Sequence, residues 1–224
     1  PKNPLTARVI VNRLWQQHFG RGLAANPSDF GHLGEKPTHP ELLDWLAARL
    51  VEDGWSLKKM HRLMVTSATY QMRSEIRNPH LADPENRLLW HHPIRRMDAG
   101  QIHDAALAAS GELDLKADGA GVDLAKTPRR AVYGTVLRNK PEEMMNAFDS
   151  PDAISHAPSR NVTTTATQSL LMLNGEWMLA RAAAFACRLE CAETSDAARV
   201  KLAYQLSFSR TPTDRELAEA MNFI

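Results

Sequence analysis

The sequence predicts a mainly α fold, a multi-helix globular domain with one minor β-strand or hairpin region. Apolar residues recur at helical spacing along most of the chain, and residues that commonly cap helices precede these stretches. Only residues 130–137 have the β-branched and aromatic content of a strand. The composition, 43% hydrophobic and 24% charged, is that of an ordinary globular protein, so long disordered segments are not expected.

Helix-start residues order the first half of the chain. Asn3 precedes Pro4, which suits the first turn of a helix because proline has no N–H to leave unpaired. Thr38 is predicted to begin a second helix in a capping box with Glu41, in which each side chain accepts a backbone N–H of the other residue. The four expected starts in this half are Asn3, Thr38, Ser56 and Asp83.

The second half is predicted to contain five further helical stretches. A long pattern runs from residue 167 to about residue 190, and Gly175 is expected to kink or divide it. The strand over 130–137 needs a partner, because a lone strand is unstable, and residues 121–125 are its nearest candidate. The expected helix starts are Asp98, Pro141, Thr167, Ser195 and Thr213.

The length of 224 residues suits a single domain spanning 1–224. Two lobes, 1–110 and 129–224, are the alternative, since residues 111–128 are rich in Gly and Asp and read as a connecting loop. The chain begins Pro1-Lys2 without a Met and ends within a helical pattern, which predicts a piece of a longer protein.

Charge and cysteine content exclude several classes of protein. The 27 Lys and Arg nearly balance the 26 Asp and Glu, which excludes a polybasic nucleic-acid binder, and no apolar run approaches a membrane span. Cys187 and Cys191 lie four residues apart on a predicted helix without further ligands nearby, so neither a zinc site nor any other metal site is predicted. Both cysteines are expected to be buried as small apolar side chains.

The polar stretch 149–174 is the most suggestive for binding. It brings carboxylate, guanidinium, amide and hydroxyl groups into one irregular segment ahead of a helix, and such segments often hold binding groups. Arg95 and Arg96 could add a fork of donors for an anion. The candidate ligand-binding residues are Asp149, Asp152, Arg160, Asn161, Thr164, Gln168, Asn174, Arg95 and Arg96.

Two other interpretations of this stretch stay open. Asp149 and Asp152 could act as a general acid and base if their environments differ, with Arg160 clamping an anion. Alternatively, the two aspartates cap turns, Thr164 or Thr165 caps the following helix, and Arg160 ties the loop to the core. No nucleophile elbow, phosphate-binding loop or dinucleotide motif is present.

The chain as a whole resembles a planctomycete-type domain of unknown function that lies C-terminal to cytochrome-c-like domains in large bacterial proteins. The resemblance covers nearly all of the sequence. It rests on the ordered segments 3–8, 12–15, 18–23, 27–31, 39–47, 54–58, 66–70, 83–90, 148–152 and 160–164.

This resemblance implies a setting rather than an activity. Family members are exported or periplasmic, and haem c would belong to an upstream domain, so no cofactor is expected in this part of the chain. The upstream cytochrome-c-like domain is then an expected partner, along with an anionic ligand or polysaccharide. Members often carry a Cys shortly before the position of Arg160, whereas this chain has Ser155-His156-Ala157 there, and no catalytic residue can be carried over.

The function predicted from these observations is a non-enzymatic binding or scaffolding module of an exported, cytochrome-associated multidomain protein. Its polar surface over 149–174 would contact an anionic ligand such as a glycan, or a partner redox domain. The alternative is a hydrolase or redox enzyme domain with a carboxylate base and an arginine anion clamp in the same stretch.

Overall fold

The computed structural model describes residues 3–75, 83–151, 153–155 and 157–224. Half of the chain is helical, in nine α-helices across these residues with almost no strand, which confirms the mainly α prediction. The chain divides into two compact units, Pro1–Arg96 and Met97–Ile224. In the first unit the helices are α1 Pro4–Phe19, α2 Pro40–Glu52 and α3 Leu57–Val65. In the second they are α4 Ala99–Ser110, α5 Glu143–Ala147, α6 Ala166–Asn174, α7 Glu176–Ala192, α8 Asp196–Phe208 and α9 Asp214–Phe223.

Helix α1 begins and ends as its sequence predicts. Asn3 Oδ1 accepts the backbone N–H of Leu5 at 2.9 Å, and Pro4 occupies the first turn. Gly20 ends the helix with φ of 83°, a conformation that glycine adopts without a side-chain clash. Helix α3 likewise follows its predicted cap, Ser56, whose hydroxyl accepts from Lys59 N.

The core of the first unit lies among α1, α2 and α3. Each helix contributes apolar side chains at helical spacing to one face, so three stripes meet in a common interior. Burial of these side chains supplies most of the unit's stability. The core residues are Val11, Trp15, Phe19, Leu23, Leu43, Leu46, Leu50, Met60 and Met64.

Two predicted helix starts in this unit are wrong. Helix α2 is capped by His39, without a side-chain hydrogen bond, rather than by Thr38. The cause is Pro40 at the first helical position, because proline fixes the helical φ at that residue and makes its predecessor the cap. The Thr38 hydroxyl instead donates to the carbonyl of Leu23 at 3.4 Å.

No helix follows Asp83, contrary to the prediction. Its carboxylate accepts the backbone N–H groups of Arg87 and Leu88 at 2.8 and 2.7 Å, which stabilises a turn. Asn86 and Leu89 then adopt left-handed backbone with φ of 52° and 57°. Successive left-handed residues interrupt a right-handed helix, so the segment folds as consecutive turns.

The second unit is built around α4. Asp98 and Gln101 form the predicted capping box, and Gly111 ends the helix in left-handed conformation. Helix α4 packs on α5, α7 and α8. A small core of Ala99, Met144 and Phe148 is extended by partly buried residues, among them Ile102, Leu171 and Trp177.

The predicted strand over 130–137 is reduced to a 3-10 turn, Ala131–Tyr133, and two isolated bridges. Val122 pairs with Gly134, within the region expected to be the partner. The Arg129 guanidinium donates to the carbonyls of Lys116 and Asp118 at 3.0 and 2.6 Å. These bonds fold residues 111–128 onto the second unit, and the division between compact units falls at Arg96–Met97, not within that loop.

The C-terminal helices follow their predicted signals. Gly175 divides the long pattern into α6 and α7. Ser195 caps α8, and Thr213 with Glu216 forms a capping box at α9. None of the helices in the described part of the chain is long and apolar enough to cross a bilayer.

The prediction that the two cysteines are buried is wrong. Cys187 and Cys191 are both exposed free thiols on α7. Helix α7 has no fully buried residue at all, so its apolar pattern does not correspond to an enclosed face within this unit.

Candidate functional site

The predicted site residues fall into two places. Arg95 and Arg96 belong to the first unit, and the residues of the 149–174 stretch belong to the second. Asp152 lies outside the described residues. Each place is therefore described by itself.

Asp149 is engaged by the far end of its own loop. Its Oδ2 accepts the backbone N–H of Thr163 at 2.8 Å, and both carboxylate oxygens lie 2.9 Å from the Thr163 hydroxyl, which donates to them. Asp149 itself has left-handed backbone with φ of 61°. The carboxylate thus closes the loop that joins α5 to α6.

Gln168 connects the same loop to the helices on either side. Its side chain is 3% exposed, and Nε2 donates to the Ala147 carbonyl at 2.9 Å and to the Thr163 hydroxyl at 3.1 Å. Its Oε1 accepts from Thr165 N at 3.1 Å, completing a capping box at α6. Asp149 and Gln168 therefore meet on Thr163, and both side chains bond to backbone.

Arg160 pairs elsewhere. Its guanidinium lies 3.1 Å from Asp98 Oδ2, and Asp98 caps α4 through its other oxygen. The Arg160 side chain remains half exposed, at 48%. The three other predicted residues in this stretch are exposed to solvent: Asn161, Thr164 and Asn174.

The first unit contains a cleft beside the C-terminal end of α1. Its volume is about 430 Å³. Arg21, Arg87 and Arg95 line it together with one acidic residue, Glu85. Apolar side chains complete the lining, among them Trp15, Phe19, Pro84, Leu89 and Ile94.

Arg95 is positioned by the end of α1. Its guanidinium donates to the carbonyl of Gln17, one of the carbonyls that a helix end leaves without a partner. Its side chain crosses Gly20 so closely that a Cβ on the glycine would lie 3.4 Å from Arg95 Cδ. Arg96 follows as an exposed residue that also has interactions in the structure.

The other two arginines are held less tightly. Arg21 lies 3.5 Å from Glu85 and 3.6 Å from Glu35, long contacts made by side chains that are largely exposed. Arg87 is exposed, and within the described residues its guanidinium has no ion pair. Two guanidinium groups are thus available to an anion that enters the cleft.

A cluster of imidazole and aromatic rings flanks α1 in the same unit. His18 Nε2 lies 2.8 Å from His61 Nδ1, and Tyr70 packs edge-on against His18. Burial, then the charges of His61 and Arg95, lowers the pKa of His18. Within the described ranges, no three His, Cys, Asp or Glu side chains are grouped closely enough to hold a metal ion.

His103 is the corresponding buried histidine of the second unit. It is 2% exposed, stacks on Trp177 at 4.8 Å between ring centroids, and places Nδ1 3.1 Å from Asp104 Oδ1. Asp104 also accepts the backbone N–H of Ala131 at 2.6 Å. These contacts tie α4 to α7 and to the 3-10 turn, which is a structural use of both side chains.

Sequence reasoning missed Arg21, Arg87 and His61. Arg21 stands between two glycines directly after a helix, a position that predicts a loop-borne cation beside a helix end. Arg87 and His61 carry no comparable signal, because their neighbours in the structure are distant in sequence.

Comparison with known proteins identifies a family but no characterised relative. A family model described as PSD1, protein of unknown function (DUF1553), matches residues 1–224. No curated protein and no solved structure matches the chain. The chain therefore belongs to the PSD1 family of proteins of unknown function (DUF1553).

Proposed function

We propose that this domain is a non-catalytic binding module, and that the arginine-lined cleft of its first unit takes a carboxylated or sulfated ligand such as an anionic glycan. In this proposal the domain belongs to an exported multidomain protein with a cytochrome-c-like domain upstream. The second unit would offer its polar surface to that partner domain.

The availability of Arg87 is the observation that carries the proposal. Its guanidinium is exposed in the cleft without an ion pair among the described residues, and Arg21 beside it makes only long contacts to carboxylates. A planar guanidinium binds carboxylate or sulfate through two parallel N–H groups, which gives both strength and orientation. Three arginines against one glutamate also give the cleft a positive charge.

The apolar lining supports a ligand that has a carbon skeleton as well as a charge. Pro84, Leu89 and Ile94 line the cleft beside the arginines, and Ile94 is 81% exposed. Sugar rings and short aliphatic chains present apolar faces that such side chains can contact. A bare inorganic anion would leave these contacts unused.

The 149–174 stretch supports contact with a protein partner more than catalysis. A carboxylate base needs an oxygen directed at a substrate, and both oxygens of Asp149 accept hydrogen bonds from Thr163. Arg160, Asn161, Thr164 and Asn174 retain exposed polar groups that suit the polar rim of an interface.

Calorimetric titration with a sulfated chondroitin tetrasaccharide, and with its desulfated form, tests the cleft. We expect binding of the sulfated form that weakens with salt, and a loss of about tenfold in affinity for Arg87→Gln, since one charge-assisted contact is removed. Arg13→Gln is the matched control, because Arg13 is an exposed arginine of α1 that does not line the cleft.

Equal weakening by Arg13→Gln and Arg87→Gln would indicate only general charge attraction, and the proposed site would be withdrawn. The same conclusion would follow if the sulfated and desulfated forms bound alike. Thermal melting of both variants keeps a folding defect distinct from a binding defect.

A further inference from the structure

Two histidines from different helices of the first unit face one another. His18 lies in the last turn of α1 and His61 lies in α3. His18 Nε2 is 2.8 Å from His61 Nδ1, with 72° between the ring planes. The residues are 43 positions apart, so packing of the two helices creates the pair.

The facing nitrogens can serve either a proton or a metal ion. In the hydrogen-bonded pair, one nitrogen donates a proton and the other accepts it. If each ring carries its proton on the opposite nitrogen, the two lone pairs face each other, and a cation between them would satisfy both. Neutral imidazole is the protein ligand that Zn(II), Cu(II) and Ni(II) share.

The separation of the nitrogens favours one geometry over another. Neighbouring ligands of a square-planar ion with bonds of about 2.0 Å lie about 2.8 Å apart, whereas a tetrahedral ion needs about 3.3 Å. The observed 2.8 Å fits the square-planar arrangement without movement of either helix. Among divalent ions that accept this geometry, Cu(II) binds nitrogen ligands most tightly.

We propose that His18 Nε2 and His61 Nδ1 form a Cu(II) site, with the two nitrogens as neighbouring ligands and water in the other positions. No third protein ligand of the His, Cys, Asp or Glu type is grouped with them in the described part of the chain. The site is therefore open to solvent on its remaining positions, and its affinity is set by two imidazoles.

The surroundings both help and limit this site. The rings of Tyr70 and His92 pack on the side of His18, with Tyr70 5.7 Å from His18 and 5.0 Å from His92 between centroids. The lowered pKa of His18 keeps its imidazole neutral and able to bind a metal near neutral pH. Arg95 opposes binding, because its positive charge acts on His18.

Titration of the 224-residue protein with Cu(II), followed by electron paramagnetic resonance, tests the proposal. We expect one ion per chain with an axial spectrum and hyperfine splitting from imidazole nitrogen. His18→Gln and His61→Gln should each weaken binding by about tenfold or more, because each removes one of two protein ligands. His32→Gln is the matched control, since His32 is an exposed loop histidine.

Two results would overturn the proposal. One is Cu(II) affinity and spectrum that are unchanged in both His18→Gln and His61→Gln. The other is a loss in His32→Gln as large as in those variants, which would indicate adventitious binding to surface imidazoles. His61 is exposed, so its replacement keeps the test valid even if His18→Gln lowers stability.

Discussion

The buried side chain of Asn12 forms two hydrogen bonds to the backbone of Ala24. Asn12 Nδ2 donates to the Ala24 carbonyl and Oδ1 accepts its N–H, each at 2.9 Å. Asn12 is completely buried in α1, so one amide side chain fixes the loop that follows the helix. Gly22 lies against this contact, and a Cβ there would come within 2.6 Å of Asn12 Nδ2.

Asn12→Ala should lower the free energy of unfolding by about 3 kcal/mol, because it leaves a buried N–H and a buried carbonyl without partners. Urea unfolding monitored by tryptophan fluorescence measures the change. Arg13→Ala, at the neighbouring exposed position of α1, should stay within about 0.5 kcal/mol of the parent. A loss below about 1 kcal/mol for Asn12→Ala would mean that water replaces the amide at this site.

Asp149 and Thr163 should show an energetic coupling of about 1 kcal/mol in a double-mutant cycle. Asp149→Asn keeps a residue that tolerates the left-handed backbone at this position, and Thr163→Val removes the hydroxyl that donates to the carboxylate. Thermal or urea unfolding of the two single variants and the double variant provides the cycle. Strictly additive effects would show that the carboxylate does not stabilise the loop through Thr163.

Local signals in the sequence account for most of the helix boundaries. Ser56, Asp98 and Ser195 cap their helices through their own side chains, so the chemistry of one turn is enough to predict them. The failure at Asp83 has the same origin. Its carboxylate accepts N–H groups four and five residues on, and the left-handed residues that follow turn the chain instead of continuing a helix.

Contacts between distant residues could not be predicted. His18 and His61 share no sequence pattern, and their 2.8 Å approach depends on how α1 and α3 pack. The exposure of Cys187 and Cys191 depends likewise on which face of α7 finds a neighbour. The candidate site follows this division: Asp149 and Gln168 were predicted as a cluster, but the partner of Arg160 was not.

His18 should titrate below its ordinary pKa of 6.5, because burial and the charges of His61 and Arg95 oppose its protonation. The unfolded chain then binds the proton more readily than the folded chain. The stability contributed by neutral His18 is fully present above pH 6.5 and decreases as the pH falls from there through the folded pKa.

Arg95→Gln should move the His18 pKa upward by removing a nearby positive charge. Nuclear magnetic resonance of the imidazole Cε1–H signals across a pH titration measures this directly, and the exposed His32 provides an internal reference. A His18 pKa at or above 6.5 in the parent protein would contradict the expected effect of burial.

Glu216 should have a pKa of about 2, chiefly because Arg210 donates two hydrogen bonds to its carboxylate at 2.7 and 2.9 Å. The backbone N–H of Thr213 adds a further bond to the charged form. The stability from this contact is present above pH 4.5, the ordinary value, and is lost as the pH falls toward 2. Arg210→Gln should return the pKa toward 4.5 in a carbon-13 titration, and an unchanged value would contradict the role of the arginine.

Cys187 and Cys191 should both react with a thiol reagent in the folded protein, because both are exposed on α7. Cβ atoms four residues apart on a helix lie about 5–6 Å from each other, while a disulfide needs about 3.5–4.5 Å, so mild oxidation should join separate chains instead of closing an internal bridge. Thiol counting under native conditions should give two, falling to one in Cys187→Ser and in Cys191→Ser. Reaction that requires denaturant would show that α7 is covered in solution.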